Sequence, residues 1–312
     1  MRADQVERMR RRVRLGDLDA LIAVVETGRM RRAAERLHLS QPAISKKIRE
    51  LEATLGVTLF ERSRSGMTAT AYATALVERG KSMFDQLDLA CRDLVHLADP
   101  RGGIVHMGCM ETLNAGLVGA AIARVAPAYP QMQFRVQSGE SPELIGRHLA
   151  ERRCEFVVAR PYQLPLPREM HGEPLYTDRV KVVVGPEHRL ARRRKIALDE
   201  LLDESWILST NEAQSASPLA EAFAALGLSV PMTRLITGSL NIRHKLLATG
   251  TFVTLMPHSM LHFAKPDVRV LPVELPRWQT PTMIVTLRGR ALGPAANIVM
   301  NEIRDLAKRV VD

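Results

Sequence analysis

Between Ser40 and Arg49 the chain reads SQPAISKKIR, and most of these side chains can bond to nucleic-acid bases or phosphates. Gln41 can make a bidentate pair with an adenine edge, and Lys46 and Arg49 can reach guanine or phosphate. Ser40 and Ser45 bring hydroxyls suited to phosphate oxygens. Wound at 3.6 residues per turn, these polar groups lie on the face opposite Ile44, Ile48 and Leu51. Pro42 belongs to the same DNA-facing end. Arg29, Arg31 and Arg32 precede the segment and are placed to grip backbone phosphates. Arg62 and Arg64 follow it and can reach phosphate or a narrow minor groove. A solvated basic face is the alternative reading.

The elements that must position these groups are legible around them. Leu18, Leu21, Ile22 and Val25 follow helical spacing, with Gly28 as a C-terminal stop, and Ala33, Ala34 and Leu37 form a second short apolar face. Ser40 has the chemistry of an N-cap, and Pro42 sits in the first turn, where a missing N–H costs nothing. Ile44, Ile48, Leu51 and Leu55 make the buried stripe of a third helix, which Gly56 ends. VTLFERSRSGMTAT then alternates around a glycine-containing turn, as a small β-wing does. Three short helices and a wing form a winged helix-turn-helix, whose third helix enters the major groove. The stretch before Leu15, with its RMRRRVR run, reads as a basic tail or the lead-in to a helix.

Charge distribution points the same way. The chain carries a net +10. The first 66 residues hold 15 lysines and arginines against nine acids, leaving 29 against 25 in the other 246. A basic excess concentrated at one end suits a polyanionic partner. Aromatic content of 4% argues against a stacking platform for single strands.

From Thr70 to about Ala98 runs a proline-free helical pattern. Leu76, Met83, Ala90 and Leu97 recur every seven residues, with Ala73, Gly80, Leu87 and Leu94 in the companion positions. That spacing predicts a coiled-coil partner, most simply a second copy of the same helix; the alternative is one long amphipathic helix packed on its own domain. DPRGG ends the helix. Beyond it, IVHMG, QFRVQSG, EFVVAR, RVKVVVG, SWILST, TRLIT, TFVTLMP and TMIVTL read as short buried strands alternating with helical runs such as 113–125 and 142–151. This predicts an α/β region with largely parallel sheets, long enough for two lobes.

Cys91, Cys109 and Cys154 are scattered, which fits a reducing compartment and no structural zinc. His258 and His262 stand four apart without a third ligand, so no metal is expected. Cys109 reads as a small buried residue. P-loop, GxGxxG and GxSxG motifs are missing, and no run approaches membrane-spanning length, so the expectation is a cytoplasmic protein that is not an enzyme.

TGRMRRAAERLHLSQPAISKKIRELEATLGVTLFERSRSGMTAT closely resembles the DNA-binding domain of the LysR-type transcriptional regulators. The likeness rests on Ala33–Ser45, on the I-x-x-LE-x-x-LG-V-x-LFER run from Ile48 to Arg62, and on Gly66 followed by Thr70. Arg29-Met30-Arg31-Arg32 and the AYA of 71–73 depart from the family's usual residues, where they bear on phosphate contacts and entry to the linker helix. The resemblance implies an α+β multidomain chain. Residues 1–69 would form the winged helix-turn-helix, 70–99 a dimerising linker helix, and 100–312 a two-lobed α/β regulatory domain like a periplasmic binding protein. Lobe I would take about 100–160 plus 268–312, and lobe II about 161–267.

The implied function is sequence-specific regulation of transcription, modulated by a small anionic metabolite held between the lobes; no cofactor is implied. Double-stranded operator DNA, further copies of the chain (dimer or tetramer, through linker helix and regulatory domain) and RNA polymerase are the implied partners. Effector contacts would come from Thr112 after the first strand and from Ser138, Gly139, Glu140 and Ser141 after the second. Ser215, Ser217, Thr237 and Ser239 would supply the other lobe. Serines and threonines at helix starts also cap helices without binding anything. A carboxylate at Glu140 opposes a purely anionic ligand unless a base pairs with it. The alternative is a small-molecule binding protein or enzyme that uses its helix-turn-helix for protein contact.

Overall fold

The computed structural model describes residues 3–63, 66–99, 101–161, 164–215, 217–275 and 281–310. Two compact units emerge, Met1–Cys91 and Arg92–Asp312.

In the first unit, the residues before Leu15 form a separate helix, α1 (Ala3–Arg12), rather than a tail. Arg10 and Arg11 both bond Glu7, at the helical spacings of three and four. The next helices are α2 (Leu15–Thr27), α3 (Met30–Leu37) and α4 (Gln41–Leu55). Gly28 and Gly56 take φ of +70°, the left-handed conformation that ends α2 and α4. The Ser40 hydroxyl accepts the Ala43 N–H at 3.3 Å and so starts α4. Leu18, Leu21, Ile44, Ile48, Leu51 and Leu59 pack into one buried core. Strands β1 (Phe60–Ser63) and β2 (Gly66–Ala69) pair antiparallel as the wing.

Glu52 ties the wing to α4, because its Oε1 accepts the N–H groups of Leu59 (2.7 Å) and Phe60 (3.4 Å). Removing that acceptor in Glu52→Ala strips two half-buried donors of their partner. We expect a loss of about 1–3 kcal/mol and faster hydrogen exchange at Leu59 and Phe60. Retained stability and protection would show that the wing is held by other contacts.

Thr70 starts the long helix α5 (Ala71–Ala98), its hydroxyl accepting the Ala73 N–H and donating to the Thr58 carbonyl. The heptad pattern divides along this helix. Ala73, Val77 and Gly80 are buried in the core of the first unit, where a Cβ on Gly80 would stand 3.3 Å from Ile22. Lys81 bonds Glu26 at 2.5 Å, as does Arg36. Burial raises the Glu26 pKa, but bonds from these two cations outweigh it and hold the carboxyl below its ordinary value. Further along, Met83, Leu87, Ala90, Leu94 and Leu97 remain exposed.

The second unit contains two five-stranded sheets. One has the order β4-β3-β5-β12-β6 and the other β11-β7-β10-β8-β9. The first comprises β3 (Gly102–Cys109), β4 (Gln131–Ser138), β5 (Phe156–Ala159), β6 (Met170–Tyr176) and β12 (Thr282–Leu287). The second comprises β7 (Val180–Val184), β8 (Ser205–Leu208), β9 (Thr233–Ile236), β10 (Phe252–Pro257) and β11 (Arg269–Val270). Helices α6 (Glu111–Leu113) and α7 (Gly119–Val125) belong to one helical run after β3, and α8 (Ser141–Glu143) starts another after β4. Helices α9 (Pro218–Ala225), α10 (Leu240–Leu247) and α11 (His258–Ala264) belong to the second lobe's segment, and α12 (Pro294–Ala307) closes the chain.

The sheets are mixed rather than largely parallel. In each, three strands run parallel and the two strands at one side run antiparallel to their neighbours. The reversal comes from chain crossings, which bring β12 and β7 into their sheets from the other lobe. The crossings also move the lobe boundaries. β6 pairs with β12, so lobe I extends to Tyr176 instead of ending near 160. β11 pairs with β7, so lobe II extends to Val270 instead of 267.

The crossings hold a buried polar cluster. Asp178 is 1% exposed; it pairs with Arg160 at 3.5 Å and accepts bonds from the Ser259 hydroxyl and N–H. Arg160 also donates to the Thr282 hydroxyl. Burial, foremost, pushes the neighbouring Tyr176 phenol up to about 12, so it stays protonated at neutral pH.

Candidate DNA-binding and effector-binding sites

On α4 the structure separates an exposed polar face from a buried apolar one. Gln41, Pro42, Lys46 and Arg49 are exposed and Ser45 is half-buried, while Ile44, Ile48 and Leu51 are at most 2% exposed. Ser40 caps the helix, its side chain committed to that bond in part. Lys46 lies 3.7 Å from Glu50 and Arg31 3.2 Å from Glu35, both exposed pairs of the kind that contribute little to stability. Such pairs exchange readily for phosphate. Arg31 and Arg32 are exposed in the first turn of α3, whose N-cap, Arg29, provides no side-chain acceptor. The leading N–H groups of that helix therefore favour an anion. Arg62 lies in β1 opposite Met67. Arg64 lies outside the described residues.

Lys47 departs from its basic neighbours. Its Nζ donates to the buried carboxylate of Asp17 at 3.0 Å, joining α4 to α2. The contact fixes α4 against α2 and sets Lys47 apart from the exposed Lys46 and Arg49. The pairing spans 30 residues, so helical periodicity alone could not find it.

Between the lobes of the second unit lies a small cavity of about 40 Å³. Met110, Glu111, Thr112, Glu140 and Arg160 line it from lobe I, with Val180, Ser209, Asn211, Glu212, Gly238, Arg243 and Pro257 on the other side. At about 10–15 Å³ per water it has room for roughly three waters. Of the residues named from sequence, Thr112 and Glu140 meet here. The other candidates are placed otherwise. Ser138 is exposed and accepts a bond from Asn114, and Gly139 precedes the lining residue Glu140. Ser141 is 1% exposed, and its hydroxyl donates to the Arg160 carbonyl at 2.8 Å. Ser215 is exposed. Ser217 and Ser239 are the N-caps of α9 and α10, and the Thr237 hydroxyl accepts the Ser239 N–H.

Residues that sequence reasoning did not single out dominate the cavity. Arg243 is 2% exposed, and its guanidinium is saturated. It donates to both oxygens of Glu212 (2.7 and 3.4 Å), to the carbonyls of Thr237 and Leu255, and to the Thr254 hydroxyl. Glu212 also accepts the Ser209 N–H at 2.6 Å. Two further carboxylates reach across from lobe I. Glu111 accepts the Leu240 N–H at 3.4 Å, at the start of α10, and Glu140 accepts from the Asn211 amide at 3.0 Å. A signal for Glu111 exists in the sequence, since, like Glu140, it stands two residues past the end of a strand.

Burial pushes the Cys109 thiol well above its ordinary range and raises that of Cys154 to about 11. Both stay protonated at neutral pH and are poor nucleophiles. Among the described residues, no group of three or more His, Cys, Asp or Glu is arranged to hold a metal, and no helix is long and apolar enough to cross a membrane.

Comparison with known proteins agrees with both halves. Residues 15–74 match the family model described as bacterial regulatory helix-turn-helix protein, lysR family, and residues 98–308 match the LysR substrate binding domain. The transcriptional regulator GbpR of Rhizobium radiobacter is 26% identical, with 80% of this chain and 83% of its own length covered. The fold resembles a full-length OxyR variant from Pseudomonas aeruginosa (TM-score 0.59, 20% identity, 95% of each chain). It also resembles full-length CbnR complexed with its target DNA (0.56, 18% identity, 94% of this chain and 100% of that one). Helix-turn-helix and wing, long helix and two-lobed domain thus occur in one chain, matched over nearly all of its length. The chain belongs to the LysR-type transcriptional regulators, DNA-binding proteins with an effector-binding domain, and is not an enzyme.

Proposed function

We propose that two or more copies of this chain grip a pseudo-palindromic operator through α4, and that a small molecule between the lobes shifts the balance between assemblies that bend DNA differently. The observation that carries the DNA half is α4 itself. Its exposed Gln41, Lys46 and Arg49 stand opposite a fully buried apolar stripe, with Arg31 and Arg32 on α3 for phosphates. The exposed apolar stripe of α5 supports pairing of copies. The interlobe cavity is the effector site, reached by Thr112 and Glu140. An effector acts only by preferring one arrangement, so it must contact both lobes, as this lining permits. Action on operators places the protein with the chromosome in the cytoplasm, and RNA polymerase is the machine it influences.

A mobility-shift titration against operator and random DNA tests the reading helix. Gln41→Ala and Arg49→Ala should each cut discrimination by about 1–3 kcal/mol, roughly five- to 150-fold. Affinity of the unaltered protein should fall steeply with salt as phosphate contacts release counterions. Equal discrimination by both variants and the parent would remove α4 from its assigned role.

A further inference from the structure

The polar groups of the interlobe cavity leave little for an anion to bind. Arg243 spends its guanidinium on Glu212, two carbonyls and a hydroxyl. Arg160 pairs with Asp178 and donates to Thr282. The donors an anion would seek at helix and loop starts are taken by the protein's own carboxylates. The Leu240 N–H bonds Glu111, the Ser209 N–H bonds Glu212, and the Asn211 amide bonds Glu140. Glu111 in particular stands at the start of α10 as a ligand carboxylate would.

Charge counting agrees. The lining holds three carboxylates (Glu111, Glu140, Glu212) against two guanidiniums, a formal −1, with Asp178 behind Arg160. In a site this small and partly desolvated, like charges repel more strongly than in water. A carboxylate has about four acceptor positions. Glu111 and Glu140, extended from lobe I toward lobe II, can offer these positions to a ligand's donors in place of the bonds they accept across the cleft. A Cβ at Gly238 would stand 3.4 Å from Glu140 Oε1, which places that carboxylate against the lobe II wall.

We infer that the effector carries a positively charged headgroup (ammonium, amidinium or guanidinium) received by Glu140 and Glu111. The inference rests on the assignment of the cavity as the effector site, and it replaces the anionic ligand expected from the family. The small volume admits one such headgroup, and a longer molecule would hold the lobes further apart. Binding to carboxylates of one lobe while touching the other makes the ligand a competitor of the existing cross-cleft bonds, which is how it would alter the lobe arrangement.

Calorimetric titration of the full chain with matched probes tests this. Butane-1,4-diamine and 4-aminobutylguanidine are compared with succinate and butane-1,4-diol, alongside Glu111→Gln, Glu140→Gln and the double variant. The two cationic probes should bind, and each single substitution should weaken them about ten-fold, the effect of losing a charge-assisted hydrogen bond. The double variant should lose them and gain affinity for succinate. If succinate or the diol binds the unaltered protein in preference, and cleft substitutions change that affinity, the charge inference fails while the cavity remains the effector site. Cation binding indifferent to both glutamates would overturn both. Absence of binding by either cationic probe would overturn the inference alone.

Discussion

Replacing Arg243 by methionine should destabilise lobe II by about 3–5 kcal/mol, the usual cost of stripping one partner from a buried ion pair. The residue is 2% exposed and its partner Glu212 is 6% exposed, so the stranded carboxylate cannot turn to water. The carbonyls of Thr237 and Leu255 lose their donor as well. Urea unfolding followed by Trp206 fluorescence gives the readout, because Trp206 is fully buried in the same lobe's core. Removing both charges, in Arg243→Met with Glu212→Leu, should recover much of the loss, since apolar replacement of a buried pair is often close to neutral. Recovery would remain incomplete, because the Ser209 N–H depends on Glu212. A single variant as stable as the parent would mean that Arg243 is not a structural post. It would then be available to an anion, against the charge inference above.

Legibility in the sequence follows the range of the interaction. Ser40, Pro42, Gly28 and Gly56 act through their own turn of backbone, so cap and stop chemistry placed the helices of the DNA-binding unit within a residue or two. Lys47 looked like its basic neighbours because its partner Asp17 is joined to it only by the packing of α2 on α4. β6 escaped notice because Gly172 and Pro174 interrupt its pattern. It lies at the edge of its sheet, where proline is tolerated. The heptads of α5 were visible, but one spacing serves two purposes. Ala73 and Gly80 bury against α2 and the wing's domain, while Leu87 and Leu94 stay exposed.

The cavity was harder still. Serines and threonines at helix starts suit a ligand by their chemistry, but at Ser217 and Ser239 the hydroxyls meet backbone N–H groups in their own first turns. The charged groups that line the cavity come from widely separated parts of the chain. Arg160 follows β5, Glu212 sits in a loop, and Arg243 is inside α10. No local pattern joins them, and only the two-lobed topology does. Glu140 is legible in the sequence as an awkward presence for an anion; the structure sets Glu111 and Glu212 in the same cavity wall, the observation behind the charge inference above.

Introducing lysine at both Leu94 and Leu97 should separate copies of the chain and cut operator affinity by about 10²–10⁴-fold, the gain that linked binding provides. These side chains are 68% and 76% exposed and continue the stripe begun by Met83 and Leu87. Single exposed apolar residues are ordinary, but five at alternating spacings of four and three along one helix have the pattern of a coiled-coil seam. Lysine propagates a helix about as well as leucine, so the substitutions should leave α5 intact and act through charge repulsion across the seam. Sedimentation should show a smaller species with an unchanged melting temperature for each unit. Binding to an isolated half-site should persist, because α4 is untouched, whereas the advantage of a full operator should vanish. A variant that kept its size would assign pairing to another surface. One that lost its size yet held the operator as firmly as before would show that a single reading head suffices.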